Sequence, residues 1–250
     1  MRSADPDQLP VLDTPGIATR AFALGSIVIA VTLVCIHAVR LAQADDGLRW
    51  WMMPLCLAGM VTADFLSGVV HWGADTWGSD TMPVFGERLL RPFRVHHINP
   101  ADFLTRHWID TNGDVATIVS AVLAMAFLVP LDGISGRASV TFILAVAATT
   151  LPTNQVHQWA HMVSPPRIVR VMQRCGLLLS HLQHAKHHAP PHVSNYCIAL
   201  GWCNGVMVRS QFFPRCERFI TKLTGAVPRE DEATGFTSPS PSRSDVRLPH

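Results

Sequence analysis

Thirteen histidines occur in this 250-residue chain, and eleven of them fall between His71 and His192. They gather in clusters beside strongly apolar stretches. A membrane protein gains no stability from so many imidazoles near its spans, whereas neutral imidazole is the usual protein ligand for iron, zinc and copper. The economical reading is a polyhistidine metal centre built at a membrane surface, where the chemistry would be on lipid.

Four stretches carry the candidates. In residues 63–78, Asp64, His71 and Asp75 are spaced seven and four apart, so a continuous helix puts them on one face with Gly68 between. A carboxylate at the centre of a span costs about 2.5–3.5 kcal/mol, so it normally faces a partner or a polar cavity. His71 reads as a metal ligand and Asp75 as a ligand or the group that orients one, the alternative being an interfacial Asp–His pair. Residues 91–100 hold the adjacent His96 and His97, followed by His107 and Thr111-Asn112-Gly113-Asp114. Neighbours on a helix point about 100° apart, so one can bind a metal while the other meets a second metal or a carboxylate.

In residues 154–161, His157 and His161 have the i, i+4 spacing that lets two side chains share an ion. Gln158 stands where a zinc peptidase of the H-E-x-x-H type has its catalytic glutamate, which disfavours that activity. The densest cluster is 181–192. His181, His184 and His188 share one face, His187 flanks it, and the H-x-x-H-H core is the most specific signal in the chain. A surface metal-binding tract mimics such a cluster, but it does not recur beside other span ends. His71, His96, His97, His157, His161, His184, His187 and His188 make eight candidate ligands, whereas a tetrahedral zinc takes four. Eight imidazoles suit two ions, and a nitrogen set with room for oxygen ligands suits iron, with zinc left open as an occupant.

The elements that must position these residues are helices in a bilayer. The chain is 48% hydrophobic and only 15% charged, and its apolar residues collect in runs at 21–41, 51–72, 115–131 and 138–156. Each run is about 17–22 residues long, close to what a hydrocarbon core of roughly 30 Å requires. The expected fold is all-α: a multi-pass membrane protein with about four transmembrane helices under a cytoplasmic, histidine-rich helical cap. The cap comprises segment 76–112, an amphipathic helix around 166–179 and the histidine helix after it. Segment 196–213, broken by Gly201, Asn204 and Gly205, reads as interfacial or re-entrant rather than as a fifth span. Residues 1–16 and the Ser/Pro-rich 227–250 read as disordered on either side of one domain, 17–226. The first run also carries a signal-peptide alternative at Ala42-Gln43-Ala44, but it is too long and contains Arg40.

Lys and Arg set the orientation. Arg88, Arg91, Arg94 and Arg106 lie between the second and third runs, and Arg167, Arg170, Arg174, Lys186, Arg209, Arg215, Arg218 and Lys222 follow the fourth. This puts both termini, the middle loop and the clustered histidines on the cytoplasmic face, with a bacterial inner membrane as the default location. The net charge of +2 gives no sign of nucleic-acid binding, since the basic residues flank spans. Six scattered cysteines without a C-x-x-C pair argue against a disulfide framework or a cysteine zinc site.

The stretches ADFLSGVVHWGADTWGS (63–79), RPFRVHHINPADFLTRHWIDTNGD (91–114), NQVHQWAH (154–161) and HAKHHAPPHVSNYCIALGWCN (184–204) resemble the Kua/CarF lipid desaturase domain family. That family includes plasmanylethanolamine desaturases and a plant chloroplast phosphatidylglycerol fatty acid desaturase, and the resemblance spans about residues 50–225. It implies a di-iron enzyme that uses O2 and two electrons, from cytochrome b5 or a ferredoxin, to remove two hydrogens from a phospholipid chain. In the plasmanyl branch the product is the vinyl ether of a plasmalogen; in the plant branch it is a trans acyl double bond. The plasmanyl branch tends to carry H-H-x-x-H-H, and here Gln183 stands at its first position. Carried onto this sequence, the resemblance makes the eight histidines metal ligands or their immediate supports. Asp75 and Asn154 become bridging or orienting candidates. His107 and His192 are further candidates, each able instead to cap a helix or touch a phosphate. Arg91, Arg94 and Arg167 are candidates for holding the lipid phosphate, or else charges that set topology. His37 and His250 read as incidental.

Competing readings are an acyl-lipid desaturase, a lipid hydroxylase with the same site, and a non-enzymatic metal-binding membrane protein. Of the last kind, a transporter should hold its ligands at mid-span, and a membrane-localisation module has no need of eight histidines.

Overall fold

The computed structural model describes residues 9–44 and 47–228. Four helical stretches are long and apolar enough to cross a membrane: Ile17–Gln43, Met52–Thr76, Trp108–Leu128 and Ile134–His161. They are α1 (Ile17–Gln43), α2 (Met52–Thr76), α5 (Trp108–Met125) and the pair α6 (Ile134–Thr150) and α7 (Thr153–His161). Among the described residues there are no strands. The crossing helices are apolar outward: Ile17, Phe22, Val28, Met53, Ile118 and Leu128 are exposed, as lipid-facing residues are.

What the helices bury against one another is small. A Cβ built on Gly113 of α5 would lie 2.4 Å from the Cβ of Ala23 on α1, and one on Gly59 of α2 would lie 2.9 Å from the Phe142 carbonyl of α6. Such positions let helix backbones approach where no hydrophobic force drives them together. Ser26 accepts a hydrogen bond from Thr117 at 2.9 Å across the α1–α5 seam. At the far end of that seam His37 is fully buried. Its Nε2–H donates to the Leu123 carbonyl at 2.8 Å, Arg40 donates to its Nδ1 at 3.0 Å, and the Arg40 guanidinium lies over Phe127. His37, which read as incidental, therefore ties α1 to the end of α5.

The spans differ from the apolar runs at the ends that face the cap. The third starts at Trp108 rather than Val115 because the polar turn 109–114 is helical too; Arg20 of α1 grips Asp110 there with two bonds of 2.9 and 2.7 Å. The fourth continues past Val156 to His161 but breaks at Leu151-Pro152, where proline lacks the N–H that an unbroken helix needs. Its second part, α7, carries His157 and His161.

Over this end lie a π-helical turn Gly86–Leu90, α3 (Arg91–Ile98), α4 (Pro100–Thr105), α8 (Arg167–Arg174), α9 (His181–His187), α10 (Asn204–Arg209) and α11 (Phe212–Thr224). The amphipathic helix expected over 166–179 stops at Arg174, with Gly176 in the left-handed conformation that closes helices. Segment 196–213 is no fifth span: 196–203 is irregular and mostly buried, and α10 follows. The expected disorder of the termini falls partly on 1–8 and 229–250, outside the described residues. Residues 9–16 are non-helical and are held by the cap, Asn99 Nδ2 donating to the Pro10 carbonyl at 3.1 Å and Arg106 to those of Leu12 and Asp13.

Candidate metal centre

Two candidate ligand groups form where α2, α3, α7 and α9 converge. One comprises His96, His157, His161, His184 and His188; the other comprises His71, Asp75, His97 and His187. Within each group the donor atoms lie within 4.8 Å of one another. The eight histidines expected as ligands are thus brought together and divided five and three, with Asp75 completing the second group.

The local sequence explains the aim of each ring. His71 and Asp75 are one turn apart on α2, with Asp75 Oδ2 3.2 Å from His71 Nε2. His96 and His97 are consecutive on α3, so their rings diverge into different groups. His157 and His161 are one turn apart on α7 and serve the same group. On α9, capped by Ser180, His184 faces the five-histidine group and His187 the other, while His188 ends the helix.

The rings meet through Nε2. His184 Nε2 lies 2.8 Å from that of His157 and 2.6 Å from that of His161, and His96 Nε2 lies 3.0 Å from His161 and 3.1 Å from His188. In the second group His97 Nε2 is 3.1 Å from His187 and 3.5 Å from His71. The Nδ1–H of His71 donates to the Tyr196 carbonyl at 3.1 Å and that of His187 to the Ser194 carbonyl at 2.8 Å. This leaves a lone pair on each Nε2 directed into the group, the tautomer that metal binding uses.

A cation fits this donor set. Asp75 is buried, and neither of its oxygens accepts a hydrogen bond; its Oδ2 instead faces the Nε2 atoms of His71, His97 and His187 at 3.2, 3.4 and 3.6 Å. A buried carboxylate without donors is costly unless a cation lies beside it. In the cap, burial first and neighbouring imidazoles second hold His96, His184 and His187 well below the usual histidine range and His188 at about 2. These rings are neutral at pH 7 and can ligate without first losing a proton. Burial, and then the Asp64 carboxylate, push the Cys203 thiol up to about 11, and Cys197 is raised in the same way, so both remain thiols. Phe93 packs on His71 and Phe103 on His96 and His157, shielding the ligands from water. A recess of about 180 Å³ lined by Pro100, Ala160, His161, His181, His184 and His188 opens onto the five-histidine group.

Other candidates lie elsewhere. Asn154 donates to the Thr111 carbonyl at 2.6 Å, joining α7 to α5 outside both groups. His107 caps α5 by accepting from the Ile109 N–H. His192 donates to the His187 carbonyl at 3.2 Å and packs against His97. His181 donates to the Ala160 carbonyl. Arg94 is buried, donating to the Trp77 and Gly78 carbonyls beside Asp80. Arg91 is half-buried and Arg167 exposed at the start of α8. Gln183 lies against Gly201, away from both groups, so a histidine at that position is not needed to complete either. Gln158 donates to the Phe103 and Arg106 carbonyls and holds the turn after α4. Sequence reasoning missed the two carbonyls that orient His71 and His187, since backbone acceptors leave no trace in residue type.

Fold and site together define a four-span helical membrane protein whose cap gathers histidines into two groups that could each hold a metal ion. The chain belongs to the lipid desaturase domain family, whose model matches residues 60–231. It is similar to the plasmanylethanolamine desaturase of Myxococcus xanthus, 39% identical over 86% of this chain and 76% of that protein. It is also similar to plasmanylethanolamine desaturase 1 of Mus musculus, 36% identical over 83% of this chain and 79% of the relative. With the chloroplastic fatty acid desaturase 4 of Arabidopsis thaliana it shares 33% identity over 69% of its length and 52% of that protein. No solved structure matches. Family membership makes the chain an oxidoreductase of the desaturase type that acts on lipid.

Proposed function

We propose that this protein converts plasmanylethanolamine to plasmenylethanolamine, placing the vinyl ether double bond of a plasmalogen. The observation that carries the reading is the pair of adjacent ligand groups in a chain whose relatives in Myxococcus xanthus and Mus musculus both bear that activity in their names. His96, His157, His161, His184 and His188 would hold one iron ion, and His71, Asp75, His97 and His187 the other. With both bound, the centre supplies the O2-dependent cleavage of two unactivated C–H bonds. The reaction balances as one ether chain CH2–CH2, O2, two electrons and two protons giving CH=CH and two waters. A cytochrome b5 or ferredoxin would deliver the electrons.

The residues of this chain bind, orient and exclude. The Tyr196 and Ser194 carbonyls keep the Nε2 lone pairs of His71 and His187 aimed inward. Asp75 lowers the positive charge that the buried centre must carry. Phe93 and Phe103 keep bulk water from the rings. Arg91 and Arg167 would meet the phosphate, with the chain lying in the membrane below. The Lys and Arg distribution supports a cytoplasmic active site in a bacterial inner membrane.

The test is lipid mass spectrometry on a plasmalogen-free host fed an alkylglycerol and expressing this protein or His187→Ala. Ether phospholipids two mass units lighter, lost on mild acid treatment and absent with the variant, are expected. Acid-stable acyl desaturation would move the substrate to an acyl chain, a retained oxygen atom would mark hydroxylation, and no change from folded, iron-loaded protein with a working donor would overturn the reading.

A further inference from the structure

Asp64 lies seven residues, about two turns, before His71 on α2. It is fully buried and belongs to neither ligand group. Its carboxylate accepts three backbone N–H groups: Leu200 and Gly201 on Oδ1 at 2.8 and 2.9 Å, and Cys203 on Oδ2 at 2.9 Å. Ser67, on the same helix, accepts the Ile198 N–H through Oγ at 3.0 Å. Asn204 clamps the other side of the loop, its Oδ1 accepting the Cys197 N–H and its Nδ2 donating to the Cys197 carbonyl, both at 2.9 Å. Gly68 leaves room for the approach, since a Cβ there would lie 2.5 Å from Cys197 Sγ and 3.2 Å from its backbone nitrogen.

Irregular backbone at membrane depth survives only where the protein itself satisfies its polar groups. Three converging N–H groups call for an acceptor-only side chain, and an ionised carboxylate is the strongest available. An asparagine would have to turn its NH2 toward one of these donors. The loop so anchored begins at Tyr196, whose carbonyl orients His71, two residues after Ser194, whose carbonyl orients His187.

We propose that Asp64 is a positioning residue for the group formed by His71, Asp75, His97 and His187. By holding the backbone of residues 200–203, it fixes the loop whose preceding carbonyls aim two of the three imidazoles. The inference rests on the two-metal reading above.

The experiment is a cobalt(II) titration of the metal-free, full-length protein in detergent, followed by d–d absorption. Wild type, Asp64→Asn and Asn204→Ala are compared, with Asp75→Asn marking the signal of the second group. Wild type should take two equivalents. Asp64→Asn should keep the five-histidine site at unchanged affinity and weaken the other by about 10- to 100-fold, with faster hydrogen exchange at Leu200, Gly201 and Cys203. If Asp64→Asn does not fold, Asn204→Ala, which removes only the clamp on the same loop, should weaken the same site selectively. Two equivalents at wild-type affinity in the folded variants would overturn the inference, as would equal weakening of both sites. A wild type that binds fewer than two ions would instead overturn the two-metal reading on which it rests.

Discussion

Asp75 is the one carboxylate in the ligand groups, and its oxygens have no hydrogen-bond donor within the protein. Replacing it with asparagine removes a charge and a ligand while leaving the shape almost unchanged. Iron content should then fall by one ion per chain and desaturation by about 100-fold or more, as metal analysis and product mass spectrometry would read; wild-type iron content would contradict its role. The histidines make a second prediction. His96, His184, His187 and His188 bind protons less readily in the folded chain than in the unfolded one. Below about pH 6.5 the unfolded state therefore holds more protons. The metal-free protein should be stable and pH-independent above that value and lose thermal stability steadily as pH falls below it; a flat profile from pH 8 to 5 would contradict the burial of neutral rings. Gln183→His should leave iron content unchanged, because position 183 faces Gly201 rather than a ligand group. Helical spacing made the pairs His71–Asp75, His157–His161 and His184–His188 legible in the sequence. It could not divide eight rings between two groups, since that depends on four helices meeting in space. Nor could it separate Asn154 and His107, which resemble site residues by neighbourhood, from those that reach the centre.

At the scale of elements, the spans announce themselves by apolarity, but their ends do not. The polar turn at the start of α5 and the part of the fourth span beyond Pro152 fall outside an apolar run, yet each is helical because a partner holds it: Arg20 holds Asp110, and Asn154 of α7 donates to Thr111 of α5. Helix α11 went unread because its apolar residues are interleaved with Arg215, Arg218 and Lys222. Its buried Phe213 packs against Trp72 and Tyr196 and closes the cap over α2. Helix contacts built on small residues predict a local sensitivity. Gly59→Leu and Gly113→Leu should each separate a helix pair and lower stability by about 1–3 kcal/mol. The lipid-facing Ile118→Leu should change stability little. Thermal denaturation in micelles would compare them, and equal effects at all three positions would contradict the packing.

For the molecule as a whole, the candidate ligands among the described residues gather at one end of the bundle, beside the residues that carry most of the Lys and Arg. A phosphatase reporter, active only outside the cytoplasm, should be active in the short connection at 129–133 and inactive after residue 226. The reverse pattern would contradict the proposed orientation. A centre divided into five nitrogen donors on one side and three nitrogens with one carboxylate on the other would also make two bound ions inequivalent. The most direct measurement is Mössbauer spectroscopy of the purified, 57Fe-loaded protein with its iron counted. Two irons per chain in two distinct quadrupole doublets of equal area are expected; a single iron, or iron bound without nitrogen ligands, would contradict the two-ion centre.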